Sequence, residues 1–182
     1  MNTCNIFHDK LNIQDLVCQH MSYKNVNAKK KEYEKCSTNP KTDLKFGYSQ
    51  LYYKKIPQFI VTTPPMTCPF GVNNQGSNFK ICLQFTNYMD DPYMKSFYNF
   101  IQECEYKQME LLGLDEDESE LFISQIKHDK KERYDPNLEV KIPFNYNRLQ
   151  CDIYSDTFSD INIMNINKFA KVQCDIYLDK IW

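Results

Sequence analysis

Residues 79–85 alternate strictly between apolar and polar side chains, which is the pattern of a β-strand with one buried face. Apolar residues occupy the odd positions, while Lys80, Cys82 and Gln84 occupy the even ones. The same alternation recurs in Leu138–Ile142 and in Ala170–Leu178. Runs rich in aromatic or β-branched residues predict further strands over 44–48, 50–54, 58–62 and 151–154. The chain is therefore expected to consist mainly of β-strands.

A helical period interrupts this series of strands once. Apolar residues recur at spacings of three and four from Met94 to Cys104, and Asp91-Pro92 suits the start of a helix because Asp caps and Pro fits the first turn. We predict one helix over Asp91–Leu112 and a shorter one over about Ser119–Lys127, where acids favour the N-terminus. Strands around a helical insert indicate a mainly β, α+β fold, and a small Greek-key barrel suits this order. Residues 1–43 show no sustained period and are expected to be an irregular N-terminal extension of a domain over 44–182.

Several functional classes lack the residues that they need. No apolar run reaches the ~18 residues of a membrane span, and the first twenty residues lack the apolar core of a secretory signal. The closest two of the eight cysteines are fourteen residues apart, so we expect free thiols in a reducing compartment rather than zinc ribbons or redox pairs. The chain has no phosphate-binding glycine loop and no Gly-x-Ser-x-Gly elbow, and its three histidines are scattered. We therefore expect no enzymatic activity, no metal and no cofactor.

Basic and aromatic residues are interleaved on the predicted strands. The first sixty residues also hold ten lysines against five acids, which favours contact with a polyanion. Proteins that bind single-stranded nucleic acid stack bases on aromatic rings while Lys and Arg contact the phosphates. The candidate binding residues are Lys45, Tyr52, Tyr53, Lys54 and Lys55 in one group, and Lys141, Arg148 and Tyr154 in a second. Because Tyr on an amphipathic strand often packs inward, roughly half of the aromatic residues are expected to belong to the core.

The segment from Leu51 to Val72 contains a pattern that resembles a known family. A strand ends in Thr63-Pro64-Pro65, and Met66 and then Pro69-Phe70-Gly71 follow. This order resembles the OB-fold single-stranded DNA-binding proteins of nucleo-cytoplasmic large DNA viruses, which are related to the single-stranded DNA-binding protein of podophages. The strand 79–85, the helix 91–112, the strand 138–143 and the segment 171–182, which ends in Ile-Trp, agree in order with the family.

The resemblance covers about residues 44–182 and implies an OB-fold domain that binds single-stranded DNA without sequence specificity. The implied process is viral DNA replication, recombination or repair, with bases stacked on the candidate Tyr residues and phosphates on the candidate Lys and Arg residues. The implied partners are single-stranded DNA, further copies of the chain and viral replication proteins, and no metal or nucleotide is implied. The implied location is the host cytoplasm, at the viral factory, or the virion.

Two further readings follow from the same residues. The relatives carry another strand after the Ile-Trp pair, so three alternatives are expected for residues 44–182: a barrel left open without its closing strand, a barrel completed by another chain, or a truncated or divergent member of the family. The alternative function is a structural or virion-associated β-protein, in which the aromatic residues pack between subunits and bind no nucleic acid. The two functions differ in their response to salt, since only binding to a polyanion weakens steeply as salt rises.

Overall fold

The computed structural model describes residues 4–20, 49–54, 56–57, 59–76, 78–112, 114, 122–155, 161–178 and 180–181. The first strands along the chain are β1 (Cys4–Phe7), β2 (Leu16–His20), β3 (Ser49–Tyr53), β4 (Ile56–Pro57), β5 (Phe59–Thr62), β6 (Met66–Cys68), β7 (Val72–Gln75) and β8 (Asn78–Gln84). The helix α1 (Pro92–Leu112) follows, and after it come β9 (Ile126–Lys127), β10 (Asn137–Ile142), β11 (Phe144–Asn145), β12 (Arg148–Leu149), β13 (Ala170–Val172), β14 (Asp175–Leu178) and β15 (Lys180–Ile181). Short 3-10 turns lie at His8–Lys10, Ile13–Asp15 and Ile163–Asn165. The described part of the chain is thus mainly β with a single α-helix, which confirms the α+β class.

The central sheet has the strand order β13-β6-β8-β10-β9, with β7 also paired to β8. β8 and β10 are antiparallel, with Leu83 opposite Leu138 and Ile81 opposite Val140. On β8 the odd-numbered residues are buried and the even-numbered ones are only partly covered, as the alternation predicts. The strands predicted over 79–85 and 138–142 are therefore confirmed, and their apolar face lies on the hydrophobic core.

Residues 170–181 connect three sheets. β13 pairs with β6, β14 pairs with β5 in a sheet ordered β1-β5-β14, and β15 pairs with β3 in a sheet ordered β15-β3-β2. We predict one continuous strand over 170–178 from the sequence, and this is wrong, because the chain leaves one sheet for another at residues 173 and 174. The change of sheet is what lets a single segment join the three sheets.

A β-bulge marks this change of sheet. Between the paired stretches, three residues of one strand (63–65) stand opposite two of the other (173–174). The Thr63 amide donates to the Cys174 carbonyl at 2.9 Å, and the Cys174 amide donates to the Thr63 hydroxyl at 3.0 Å. Thr63 is fully buried, so these bonds satisfy polar groups that water cannot reach. Pro64 and Pro65 lack amide donors, which suits an interruption of the ladder.

The helix α1 begins where the sequence predicts. The Asp91 carboxylate accepts hydrogen bonds from the amides of Tyr93 (2.9 Å) and Met94 (3.2 Å), as an N-cap residue does. The apolar stripe of the helix faces the core, where the Phe97 ring lies 5.9 Å from that of Phe85 and is fully buried. The helix therefore contributes its apolar stripe to the same hydrophobic core as the strands.

Three sequence predictions need correction. Residues 4–20 are not an irregular extension, because β1 pairs in parallel with β5 and β2 pairs antiparallel with β3. Residues 122–127 do not form the end of a helix, since Ile126–Lys127 is the edge strand β9. Residues 151–154 are not assigned to a strand, because they have no ladder partner among the described residues. The predicted strand over 44–48 lies outside the described residues, as do residues 21–43 of the expected extension.

Candidate nucleic-acid interface

The central sheet presents one polar face, which is the opposite side from the core. Its strand pairings place the following residues on this side, here called the polar face: Thr67, Asn73, Lys80, Cys82, Gln84, Lys127, Asn137, Glu139, Lys141 and Lys171. Lys127, Lys141 and Lys171 are exposed, and the neutral residues among β6, β8 and β10 are half-buried. The face therefore spans five strands, and its three exposed lysines are accessible to a ligand.

A continuous row of side chains crosses this face. Lys171 stands opposite Thr67, Thr67 opposite Gln84, Gln84 opposite Asn137, and Asn137 opposite Lys127. Neighbouring strands lie about 4.8 Å apart, so the row extends over roughly 19 Å. Lys171 and Lys127 place a cation at each end of the row, and the Lys127 ammonium also donates to the Ser124 carbonyl. Between them Thr67 and Gln84 are half-buried, and the Asn137 Oδ1 is buried without a partner among the described residues. The row therefore suits an extended anionic chain through its two terminal cations.

The charge balance of the polar face is strongly positive. It carries four lysines against the single carboxylate of Glu139, which pairs with Lys80. Two of the lysines, Lys80 and Lys141, also stand directly opposite each other on adjacent strands. Like charges directly opposite one another destabilise a sheet, and a bound anion removes that repulsion. Neither Lys141 nor Lys171 forms an ion pair within the described part of the chain.

The described members of the first group, Tyr52, Tyr53 and Lys54, lie in or directly after β3, which belongs to a different sheet. Tyr53 is only 4% exposed and its ring lies 5.7 Å from that of Phe59, so Tyr53 belongs to the core and offers no surface for a base. The alternation of side chains along β3 explains this burial, because Tyr53 lies two residues after the buried Leu51 and so points to the same side of the strand.

The other candidates of this group are not buried to the same degree. Tyr52 is half-buried on the other side of β3. The exposed Lys54 ammonium lies 3.5 Å from the Asp15 carboxylate and 5.2 Å from the centre of the Tyr53 ring, and Lys45 and Lys55 lie outside the described residues.

One member of the second group, Lys141, lies on the polar face. The hairpin of β11 and β12 follows β10 directly, and Arg148 is exposed on its second strand. The hairpin turn is Tyr146-Asn147, both at positive φ (52° and 59°), as a two-residue type I′ turn requires. Tyr146 at this turn and Tyr154 beyond the hairpin are almost fully exposed. Lys141 thus lies on the central sheet and Arg148 in the adjoining hairpin, whereas Tyr52 and Lys54 lie in or directly after β3 of another sheet.

Sequence reasoning missed Lys80, Lys127 and Lys171 as members of one surface. The available signal was the alternation of side chains along a strand, because each of these lysines has apolar neighbours on its own strand. This alternation assigns each lysine to the polar side of its own strand. It does not reveal that β13, β6, β8, β10 and β9 are neighbours, since those pairings join segments up to about a hundred residues apart.

A second, smaller feature is the buried His8, which fixes the N-terminal segment against α1. The His8 ring is 3% exposed, lies 5.2 Å from the rings of Tyr93 and Phe97, and places Nε2 3.3 Å from the Ser96 hydroxyl. Nδ1 is buried and has no hydrogen-bond partner among the described residues. Burial lowers the pKa of His8, and the nearby Asp9 carboxylate opposes this only in part. His8 is therefore packed as a neutral ring.

We expect His8 to make folding stability depend on pH. A histidine whose folded pKa lies below its unfolded value of about 6.5 binds a proton more readily when unfolded, so the free energy of unfolding falls as pH falls through this range. Urea unfolding should show a lower midpoint at pH 5.5 than at pH 7.5, and His8→Phe, which keeps an aromatic ring in place, should reduce the difference. An equal difference in the wild type and the variant would contradict this assignment.

The described residues contain no cluster of His, Cys, Asp or Glu side chains that could hold a metal ion. No helix within the same ranges combines the length and the apolar character needed to cross a membrane. In comparisons with known proteins, no family model, no curated protein and no solved structure matches this chain.

Proposed function

We propose that the protein binds single-stranded DNA without sequence specificity and that the polar face of the central sheet is the main contact surface. The observation that carries the proposal is the set of four lysines against one acid on a single accessible face. Non-specific binding of nucleic acid depends mainly on cations placed along the phosphate chain, and side-chain amides and hydroxyls supply further contacts. The proposed role is the coating of single strands in viral DNA replication, recombination or repair.

The proposed architecture is an OB-like barrel. The bulge opposite residues 173–174 is consistent with it, because a bulge increases local twist and bends a strand pair toward a second sheet. A segment that pairs in turn with β6, β5 and β3 is a further support, since small barrels are built from strands shared between curved sheets. The family resemblance around Thr63 to Gly71 coincides with this bent region.

The proposal is tested by titrating labelled oligo-dT of about 20 nucleotides, longer than the site of one OB fold, against a duplex of equal length. Fluorescence anisotropy at low salt should show binding to oligo-dT and at least roughly tenfold weaker binding to the duplex, since a duplex keeps its bases stacked and paired and offers none of them to the protein. Absence of binding to oligo-dT, or equal affinity for both, would overturn the proposal.

A further inference from the structure

The polar face supplies cations but no aromatic rings, so stacking of bases on the protein must occur elsewhere. Two exposed phenylalanines lie beside the Lys171 end of the row, at 72% (Phe169) and 54% (Phe70) of their full exposure. Together with Lys168 and Lys171 they form a surface that we name the aromatic corner. No ring contact to either phenylalanine occurs within the described part of the chain.

Backbone contacts define the position of the aromatic corner. The amide of Phe169 donates to the Cys68 carbonyl at 2.7 Å, just beyond the pairs of Ala170 with Cys68 and Lys171 with Thr67. Gly71 approaches the Ile166 carbonyl so closely that a Cβ atom on Gly71 would lie 2.8 Å from its oxygen. Residues 166–169 therefore lie against residues 68–71, and the aromatic corner is continuous with the row through Lys171.

The backbone of Phe169 is unusual for its residue type. Its φ is +64°, in the left-handed region that bulky side chains seldom adopt and that Asn or Gly adopts readily. The ring is mostly exposed, so burial compensates little for this conformation. The conformation belongs to the turn over residues 167–170, which the Ala170 amide closes by donating to the Asn167 carbonyl at 3.2 Å, and this turn holds the ring at the surface.

The charges around the corner favour an anionic ligand. The two segments that form it, residues 63–76 and 161–173, contain Lys168 and Lys171 and no acidic residue. Both lysines are exposed. Aromatic rings beside unopposed cations suit a nucleotide, because a base stacks on the ring while its phosphate contacts the ammonium group.

We propose that Phe70 and Phe169 stack bases of a single strand whose phosphates lie along the row that starts at Lys171. This inference rests on the proposed function and adds to it the site at which bases, rather than phosphates, are bound. The ligand is any single-stranded segment, because every base has a face that can stack.

The test compares oligo-dT with an abasic oligonucleotide of equal length, which keeps the phosphates and lacks the bases. The wild type should bind oligo-dT more tightly than the abasic strand. Phe169→Asn and Phe70→Ala should each weaken binding to oligo-dT at least about fivefold, the lower limit for the loss of one stacked base, and change binding to the abasic strand less than twofold. The Phe169→Asn variant should also melt at the same temperature as the wild type or higher, because Asn tolerates the positive φ.

The control is Tyr106→Ala, which removes an exposed ring from α1. This variant should change the affinity for neither strand.

Each result separates the two proposals. If the wild type binds neither strand, the proposed function fails and the stacking site fails with it. If the wild type binds oligo-dT and both corner variants bind it equally well, the polar face stands as the binding surface and the stacking site is wrong. Equal loss of affinity for both strands would also overturn the stacking site, since it would show that the rings do not act on bases.

Discussion

Reversing two charges on the polar face, Lys141→Glu together with Lys171→Glu, should weaken binding to oligo-dT by about 30-fold or more at low salt. Both side chains are exposed and neither has an ion-pair partner among the described residues, so the substitutions break no ion pair there. A unit charge at about 4 Å contributes ~1 kcal/mol in water, and reversal replaces this attraction with repulsion. Two reversals therefore remove roughly 3–4 kcal/mol, of which 2 kcal/mol already corresponds to about 30-fold. Fluorescence anisotropy measures the loss directly.

The matched control is Lys10→Glu together with Lys95→Glu, which changes the net charge equally. Lys10 and Lys95 are exposed near His8 and lie outside the polar face. This control should lose only a few-fold in affinity, through the weaker long-range field. Equal losses in the two double variants would show that net charge, and not the polar face, governs binding. Unfolding midpoints close to the wild-type value would exclude misfolding as the cause.

Replacing Gly71 with Ala should destabilise the fold by roughly 3 kcal/mol. Two effects add, since φ is +69° and the new methyl group would lie 2.8 Å from the Ile166 carbonyl oxygen, which is backbone and cannot rotate away. The left-handed conformation costs about 1–2 kcal/mol for a residue with a Cβ, and overpacking adds typically 1–3 kcal/mol. Urea unfolding followed by circular dichroism measures the change in the free energy of unfolding.

Gly76 provides a control for the conformational part of this effect. It has nearly the same φ, +68°, but nothing lies within 4 Å of the position of its added Cβ. Gly76→Ala should therefore cost only about 1–2 kcal/mol, from the backbone conformation alone. If the two variants were equally destabilised, the close approach of residues 166–169 to the turn at Gly71 would be wrong, and the position of the aromatic corner with it.

Local patterns predicted those features of the fold that depend on neighbouring residues. The alternation over 79–85 places Phe79, Ile81 and Leu83 on one side whatever strand lies next to it, and the structure buries all three. Asp91-Pro92 predicts the start of α1 because the capping bonds reach only two and three residues along the chain. The same alternation would have assigned Tyr53 to the core, because Tyr53 lies two residues after the apolar Leu51 and residues two apart on a strand share a side.

Features that depend on distant residues could not be predicted in this way. The alternation over 170–178 continues through residues 173 and 174, yet the chain changes sheets there because Thr63, more than a hundred residues earlier, binds the backbone of Cys174. The row from Lys171 to Lys127 depends on four strand pairings between separate segments. Residues 4–20 have a weak period of their own and form strands because β5 and β3 offer free edges. Of the six candidate residues that the structure describes, only Lys141 therefore lies on the polar face.

The salt dependence of oligo-dT binding tests the central claim most directly. If the four lysines of the polar face contact phosphates, the logarithm of the association constant should fall linearly with the logarithm of the salt concentration, with a slope of about −2 to −3. Lys141→Ala together with Lys171→Ala should make this slope shallower by about 1.4, or ~0.7 for each lost contact. A slope near zero, or the same slope in the wild type and the variant, would contradict the assignment of the polar face as the surface that binds the strand.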